Sequence, residues 1–470
     1  MYLVKDIIQP AVFLIISLYY IIELLPELLQ IICVIIIITL LWNSSRNRLL
    51  CIIIFAIPGI GALGKEAIGG LNAQSIIFIF LLLYVFININ KDFKKNSFYT
   101  IIPILIFCSF HILSYMYGRS ISPISVGINE IIKNLRDISF LILASIYIIQ
   151  NPLPVKEKTR LTNIFIGICI LAASIESFNS ISSLYFLSIK EWDTLKELNL
   201  LENALGVSAA FYLLPLNLLL SRYSSKESNL IIAFIIIILT AIIFSVLRIV
   251  IIAALLNVLF WLLKFEKIEL RKLIIPIGAI TVLIAIIIYI TPIFDSFVYS
   301  VSNKESSGIK TVLNINSSGR FEKQWPMAIE LWKQKPILGF GHGEIPMRYW
   351  FGKTELTDVW DIEIKKIAIS THSIFLESMT DGGVIGFIII LWFIYKIFTL
   401  LNVKINFSEN KSGIYISGLK IFWPFFILVN VFNSWFWVSN VLQAFLILYT
   451  IWVGHYIDAN EKKNKKLINL

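Results

Sequence analysis

Residues 230–246 read LIIAFIIIILTAIIFSV and contain no charged side chain. Charge-free stretches also occur at Ile31–Leu41 and Ile76–Ile87, and 58% of the chain is hydrophobic whereas only 15% is charged. A helix needs roughly 20 apolar residues to cross the hydrocarbon core of a bilayer. Isoleucine-rich runs favour strands by propensity, but an open strand in lipid cannot satisfy its backbone groups. The sequence therefore predicts an all-α integral membrane protein.

The apolar stretches divide into about fourteen predicted transmembrane helices. They lie at residues 11–24, 28–42, 49–64, 73–89, 99–116, 131–150, 162–186, 204–220, 229–246, 249–264, 273–291, 383–401, 413–433 and 437–456. An even number places both ends of the chain on one side of the membrane. The predicted organisation is helices 1 to 11 in residues 1–291, one large loop in 292–382, helices 12 to 14 in 383–456 and a basic tail in 457–470.

Basic residues orient this arrangement in the membrane. The segments predicted to face the cytoplasm contain 22 Lys and Arg residues, and the short outer loops contain 5. Cytoplasmic loops are enriched in Lys and Arg, so both termini are expected in the cytoplasm. The loop 292–382 then faces the periplasm, and its basic residues do not break the rule because long loops cross regardless of charge. The net charge of +10 is thus explained by the basic residues that set the orientation in the membrane, and we expect no nucleic acid partner.

The four cysteines are expected to be packing residues. Cys33, Cys51, Cys108 and Cys169 all fall inside apolar stretches and show no CxxC spacing. Such a distribution indicates neither a disulfide framework nor a metal site.

The large loop contains three motifs, of which the first is SGRFEKQWPMAIELW at residues 318–332. Four apolar side chains in it recur every three or four residues, which is one face of a helix: Phe321, Trp325, Ile329 and Trp332. Pro326 must then lie in the first turn of that helix. Such a short amphipathic helix suits either the membrane interface or the protein's own outer surface.

The second motif is KPILGFGHG at residues 335–343. Its alternating glycines, among them Gly339 and Gly341, let the backbone approach a ligand closely or adopt positive φ. The spacing does not fit a dinucleotide fingerprint, which also needs a surrounding βαβ unit. Taken alone, the motif is best explained as a turn.

The third motif is STHSIFLESMTDGGVIG at residues 370–386. We expect Ser370 or Thr371 to cap a helix and Gly382 to end it. His372 would fall in the first turn, where the positive helix end disfavours protonation. A neutral imidazole at the outer membrane surface is able to accept a proton, although a lone histidine is more often structural.

In this order the motifs resemble the O-antigen ligase and polymerase superfamily, whose large periplasmic loop carries R…W…PxxGxG…HN…GxxG. The matching residues are Arg320, Trp325, Pro336 with Gly339 and Gly341, His372, and Gly382-Gly383 with Gly386. His372 is followed by Ser373 where Asn is commoner. The family's Ser-Arg turn between two spans is similar to Leu247-Arg248. The resemblance covers about 231–391, a third of the chain, and the N-terminal half matches only in hydropathy.

The resemblance implies a metal-independent, inverting glycosyltransferase that is GT-C-like and needs no cofactor. Its donor would be a glycan on undecaprenyl pyrophosphate. The family roles fall on three residues: His372 would take the proton from an acceptor hydroxyl, and Arg320 and Arg248 would hold the pyrophosphate. Arginine suits that role because its planar fork grips phosphate oxygens two at a time. A charged residue at membrane depth, such as Arg248, is costly, so it indicates either a functional site or an ion pair inside the protein.

Other residues are secondary candidates. Substrate-binding candidates of the second tier are Arg136, Arg348, Gly339, Gly341 and Glu377. Lys133, Glu176 and Lys420 also lie in predicted spans, and their roles stay open. The implied partners are undecaprenyl-pyrophosphate-linked oligosaccharides, the bilayer, a chain-length regulator and a flippase. The implied location is the bacterial inner membrane, with the active site in the periplasm.

Several functions fit this family outline. Fourteen spans and a short C-terminal tail favour an O-antigen polymerase over a ligase that transfers glycan to lipid A–core, since ligases tend to have about twelve spans. A protein O-oligosaccharyltransferase would carry a longer C-terminal extension. A lipid-linked oligosaccharide flippase would show internal repeats and midplane binding residues. A metal-dependent GT-C enzyme would carry paired acidic residues in the first outer loop, for which Glu23 and Glu27 are a weak signal.

The charge asymmetry makes a topology prediction. A reporter fused near Asn316 should behave as periplasmic, and one fused at Lys463 as cytoplasmic, because 22 basic residues lie on one predicted side and 5 on the other. Alkaline phosphatase and green fluorescent protein fusions measure the two sides. Both fusions on the same side would overturn the span count.

Overall fold

The computed structural model describes residues 27–55, 73–88, 95–121, 128–186, 209–224, 230–244, 248–264, 325–342, 373–402, 411–431 and 440–454. Within these ranges the regular structure is helical and no strand occurs. The all-α class predicted from the isoleucine-rich stretches is therefore confirmed for the described part of the chain.

Thirteen α-helices and one short 3₁₀ helix make up these ranges. In chain order they are α1 (Glu27–Asn43), α2 (Ser45–Phe55), α3 (Ala73–Ile87), α4 (Lys95–Ile121), α5 (Ile128–Gln150), α6 (Val155–Phe186), the 3₁₀ helix (Ala209–Tyr212), α7 (Leu213–Ser224), α8 (Leu230–Phe244), α9 (Arg248–Lys264), α10 (Trp325–Gln334), α11 (Ile374–Leu401), α12 (Lys411–Val431) and α13 (Asn440–Val453).

Four described segments are long and apolar enough to cross a membrane: Ser97–Ile121, Val155–Ser177, Ile374–Leu401 and Ser412–Val431. Four shorter apolar helices accompany them: Gln74–Ile87, Leu230–Ile243, Ile249–Leu263 and Val441–Val453. This pattern is consistent with a multi-pass membrane protein. The predicted spans 11–24 and 273–291 lie outside the described residues, so the total of fourteen stays a prediction.

Helix α6 begins earlier than the sequence predicted. It starts at Val155 rather than at residue 162, and the carbonyl of Pro154 accepts the N–H groups of Glu157 and Lys158 at 3.0 and 3.1 Å. Proline suits a helix start because it has no N–H to leave unsatisfied there. Lys158 therefore lies on a helix and is buried, rather than lying in a loop. Hydropathy missed this first turn because it is polar.

Helix α7 forms the interior of the bundle. Every residue from Leu213 to Ser221 is buried, and α7 packs against α8 and α12. Gly418 of α12 permits close packing, since a Cβ there would lie 3.0 Å from the carbonyl oxygen of Asn217. The Asn217 side chain accepts a hydrogen bond from Trp261 Nε1 at 3.3 Å, which satisfies a polar group in the core.

The outer faces of several helices are apolar and exposed. Examples on α1, α3, α8 and α11 are Ile35, Leu83, Phe86, Ile236 and Ile388. Exposed apolar area this extensive is unfavourable in water and favourable against lipid tails.

The predicted packing role of the cysteines is confirmed for Cys51, Cys108 and Cys169, which are buried free thiols; the side chain of Cys33 lies outside what the structure describes.

Candidate functional site

Helix α11 is broken at Gly383, whose backbone has φ +61° and ψ −153°. The break separates a half-helix, Ile374–Gly382, from the longer apolar part. In a continuous helix the N–H groups of Val384 and Ile385 would donate to the carbonyls of Thr380 and Asp381. Here they donate instead to Pro336 and Ile337, at 2.8 and 3.4 Å.

The same loop segment also satisfies the carbonyls at the break. The N–H groups of Phe340 and Gly341 donate to Thr380 and Asp381, each at 2.8 Å. Segments 336–342 and 380–385, which we call the clasp, are thus joined by four backbone hydrogen bonds. The second and third sequence motifs therefore form one structural unit.

Glycines make the clasp possible. Gly339 has φ +66°, and a Cβ on it would lie 2.5 Å from the carbonyl oxygen of Thr380. Gly341 has φ +91°, and a Cβ there would lie 2.1 Å from the Cα of Gly118 in α4. The predicted positive φ and close approach are confirmed, and the backbone approached is the protein's own. Contact of these glycines with substrate stays a prediction.

The glycines at positions 382 and 386 of the third motif allow α4 to pack closely against α11. A Cβ on Gly382 would lie 2.5 Å from the Phe110 ring, and one on Gly386 would lie 3.2 Å from it. Phe107, one turn earlier in α4, stacks on Phe393 of α11 with ring centroids 4.3 Å apart. Helix α4 therefore packs closely against both halves of the broken helix.

A polar cluster lies where α4 meets the clasp. His342 Nδ1 lies 2.8 Å from Asp381 Oδ2, with side chains 16% and 4% exposed. The Ser114 hydroxyl accepts the N–H of His342 at 3.0 Å and donates to the Asp381 carbonyl at 3.3 Å. The ring of His111, also buried, contacts the His342 ring edge-on at 4.7 Å between centroids. This arrangement holds an imidazole in one orientation beside a buried carboxyl group.

Sequence reasoning missed this cluster. His342 and Asp381 lie inside the quoted motifs, where a histidine and an aspartate next to motif glycines were available signals. Ser114 and His111 lie in α4, more than two hundred residues before His342, and no local pattern links them to it.

The three loop residues expected to act in catalysis or substrate binding, Arg320, Arg348 and His372, lie outside the described residues. The expected capping by Ser370 or Thr371 is wrong, because α11 begins at Ile374 with Ser373 as its N-cap. Ser373 has extended backbone, with φ −152° and ψ 121°, and its carbonyl accepts the Glu377 N–H at 2.9 Å. His372 consequently precedes the helix instead of lying in its first turn.

Three other candidates lie on described helices. Arg248 is the first residue of α9, and the predicted turn at residues 245–247 lies outside the described residues. Arg136 on α5 pairs with Asp137 at 2.6 Å and donates to Ser75 of α3 at 2.7 Å, so it joins two helices. Glu377 lies one turn before Asp381, on the same face of the half-helix.

Helix α10 packs on the protein through a face different from the predicted one. Ala328 and Leu331 are fully buried, and α10 contacts α11. Ile329, which was predicted to lie on the apolar face, is 40% exposed. The exposure of Ile329 disagrees with packing of the predicted face on the protein and agrees with the alternative, an apolar face directed to the membrane interface. Pro326 does lie in the first turn, as predicted.

Residues 232–391 match the family model described as O-antigen ligase. The match includes α8, α9, α10, both segments of the clasp and the kink of α11. It supports the O-antigen ligase/polymerase superfamily, which the motif order predicted. Comparison with curated proteins finds no significant match. Helix α4, which supplies Phe110, Ser114 and Gly118, lies outside the matched residues.

The contact between α4 and the clasp makes a stability prediction. Alanine at Gly118 should improve helix propensity by about 1 kcal/mol. Its Cβ, however, would lie 2.8 Å from the Cα of Gly341, and backbone cannot move aside as a side-chain end can. Overpacking of this kind costs about 1–3 kcal/mol, so Gly118→Ala should lower the melting temperature in detergent. Ser120→Ala, on the exposed side of the same turn, is the control and should leave it unchanged. An unchanged melting temperature for Gly118→Ala would contradict the close contact.

Proposed function

We propose, from the match to the O-antigen ligase family, that this chain is an O-antigen polymerase of the bacterial inner membrane. It would transfer a growing glycan from undecaprenyl pyrophosphate to the non-reducing-end hydroxyl of a lipid-linked repeat unit. The observation that carries the proposal is the ordered set of loop motifs inside the matched residues 232–391. Two of those motifs are physically joined in the clasp.

The reaction needs a base and a stabilised leaving group. In the proposal, His372 takes the proton of the acceptor hydroxyl, whose oxygen attacks the anomeric carbon from the face opposite the pyrophosphate. The bond to pyrophosphate breaks, and the configuration inverts. A positioned base contributes typically about 10²–10⁴-fold in rate. The proposal assigns no metal to the step.

Arg248 and Arg320 would hold the pyrophosphate while negative charge develops on it. Arginine stays charged and binds phosphate in a bidentate manner. Arg248 begins α9, so it lies at the positive end of a helix, which attracts anions as well. Helix α8 contacts α9, and both belong to the matched residues.

The choice of polymerase over ligase rests on the fourteen predicted spans. Transfer of glycan to lipid A–core is the second candidate, because the matching family model carries the ligase description. In a polymerase both substrates are lipid-linked and both enter from the membrane. In a ligase only the donor is carried on undecaprenyl pyrophosphate.

The base assignment makes a catalytic prediction. His372→Ala should lower the rate of glycan transfer by about 10²–10⁴-fold while protein levels stay normal. Arg248→Lys and Arg320→Lys should also be strongly impaired, because lysine keeps the charge but loses the bidentate fork. Purified variants are assayed on lipid-linked repeat units in EDTA. Near-normal transfer by His372→Ala would reject the base assignment, and a requirement for Mg²⁺ would reject the metal-independent reaction.

A deletion strain distinguishes the two candidate functions. Loss of a polymerase should leave lipopolysaccharide that carries a single repeat unit on its core, because ligation still works. Loss of a ligase should leave bare core, with long chains accumulating on undecaprenyl pyrophosphate. A lipopolysaccharide gel, read beside an extract of lipid-linked glycan, measures both. We expect core plus one repeat unit; bare core with intact lipid-linked polymer would exclude the polymerase.

A further inference from the structure

The His342–Asp381 pair does more than close a gap between two segments. The four backbone hydrogen bonds already join the loop to the broken helix. The side-chain pair adds a second link, at 2.8 Å between Nδ1 and Oδ2, and the Asp381 side chain is only 4% exposed. Burying a carboxyl group is unfavourable unless it is paired, and apolar side chains would often stabilise the same place equally well. The pair is therefore better explained by a role in fixing the orientation of the two segments than by stability alone.

Ser114 fixes this pair to the bundle. Its hydroxyl contacts both partners, as acceptor from the His342 N–H and as donor to the Asp381 carbonyl. Helix α4, to which Ser114 belongs, packs against α5 and α11. Ser114 thus ties the half-helix to α4, a helix apolar and long enough to span a membrane. This link holds the half-helix in place even though the helical backbone of α11 is interrupted at Gly383.

The two linked segments lead directly to the proposed catalytic residues. The half-helix begins at Ile374, two positions after His372 in the chain. Helix α10 begins at Trp325, five positions after Arg320, and leads through residues 335–342 into the clasp. The His342–Asp381 pair therefore lies between the carriers of the proposed base and of one proposed pyrophosphate ligand.

We infer that His342 and Asp381, anchored by Ser114, are positioning residues that hold the segment 336–342 and the half-helix Ile374–Gly382 in one relative orientation for the proposed glycan transfer. The inference rests on the proposed function. Its physical basis is that a misplacement of about 1 Å at reacting groups can lower a rate by about 10²-fold. A hydrogen bond is sufficient for this role, since what matters is where the half-helix is held.

The test compares truncating and conservative variants of both residues. The purified full chain is assayed on undecaprenyl-pyrophosphate-linked repeat units extracted from a strain lacking the enzyme. His342→Ala and Asp381→Ala should lower kcat by about 10²-fold, with KM changed less than about twofold. His342→Asn keeps a donor near the Nδ1 position, and Asp381→Asn keeps an acceptor. Both variants should return kcat to within about fivefold of the parent enzyme. A retained hydrogen bond should keep the misplacement of the reacting groups well under about 1 Å, and the loss of rate is then small.

An exposed ion pair on α10 supplies the control. Glu330 and Lys333 lie 3.6 Å apart, with side chains 51% and 63% exposed. Glu330→Gln and Lys333→Gln should leave kcat and the melting temperature unchanged, because exposed pairs contribute little. These variants show what loss of an ordinary ion pair near the clasp does.

Several results would overturn the inference. Alanine variants that lose folded protein but keep kcat per folded molecule would show a purely structural pair. Asparagine variants as defective as the alanine variants would show that the charge, not the position, matters. A raised KM with unchanged kcat would show a binding role. If the parent enzyme transfers glycan only to lipid A–core, the proposed polymerase fails, and the same comparison of kcat is made on that transfer.

Discussion

A helix broken within or beside a bilayer leaves N–H and C=O groups that lipid tails cannot satisfy, and each such group is costly. At Gly383 of α11 two donors and two acceptors lose their helical partners. Residues 336–341 pair with all four. Because a loop reaches them only by lying directly against the helix backbone, Gly339 and Gly383 have no room for a side chain. The glycines at these two positions are thus a consequence of backbone hydrogen bonding.

The same constraint extends to α4. Gly341 lies so close to Gly118 that neither position accommodates a Cβ, and the Phe110 ring fills the space beside Gly382. At this crossing His342, Asp381 and Ser114 are joined by three hydrogen bonds, and the buried ring of His111 packs against His342. An N-terminal helix outside the family match thereby becomes part of the structure that carries the matched motifs.

Much of this architecture follows from local sequence, and the rest depends on contacts distant in the chain. Charge-free runs such as Leu230–Phe244 predicted helices, and the glycine spacing predicted positive φ and the break after Gly382. The periodicity of α10 predicted an apolar face but left open whether that face meets the membrane interface or the protein, and the residues buried in the protein are Ala328 and Leu331 rather than Ile329. The start of α11 was misassigned because Ser370, Thr371 and Ser373 all suit an N-cap position by residue type, and residue type alone does not choose among them. The His342–Asp381 pair was missed because its alignment depends on Ser114, which no local pattern connects to the loop.

The clasp also divides the loop into parts that tolerate change differently. Residues 343–372 leave one segment of the clasp and return to the other, so both ends of this stretch are held together whatever its length. Closing a flexible stretch costs free energy only logarithmically, and doubling its length adds about 0.6 kcal/mol. Insertions there leave the hydrogen-bonded register intact, whereas one inserted residue between Pro336 and Gly341 would shift it. A change of length before His372 is therefore expected to be tolerated better than a change of length within 336–341, because only the second moves backbone groups out of register with α11.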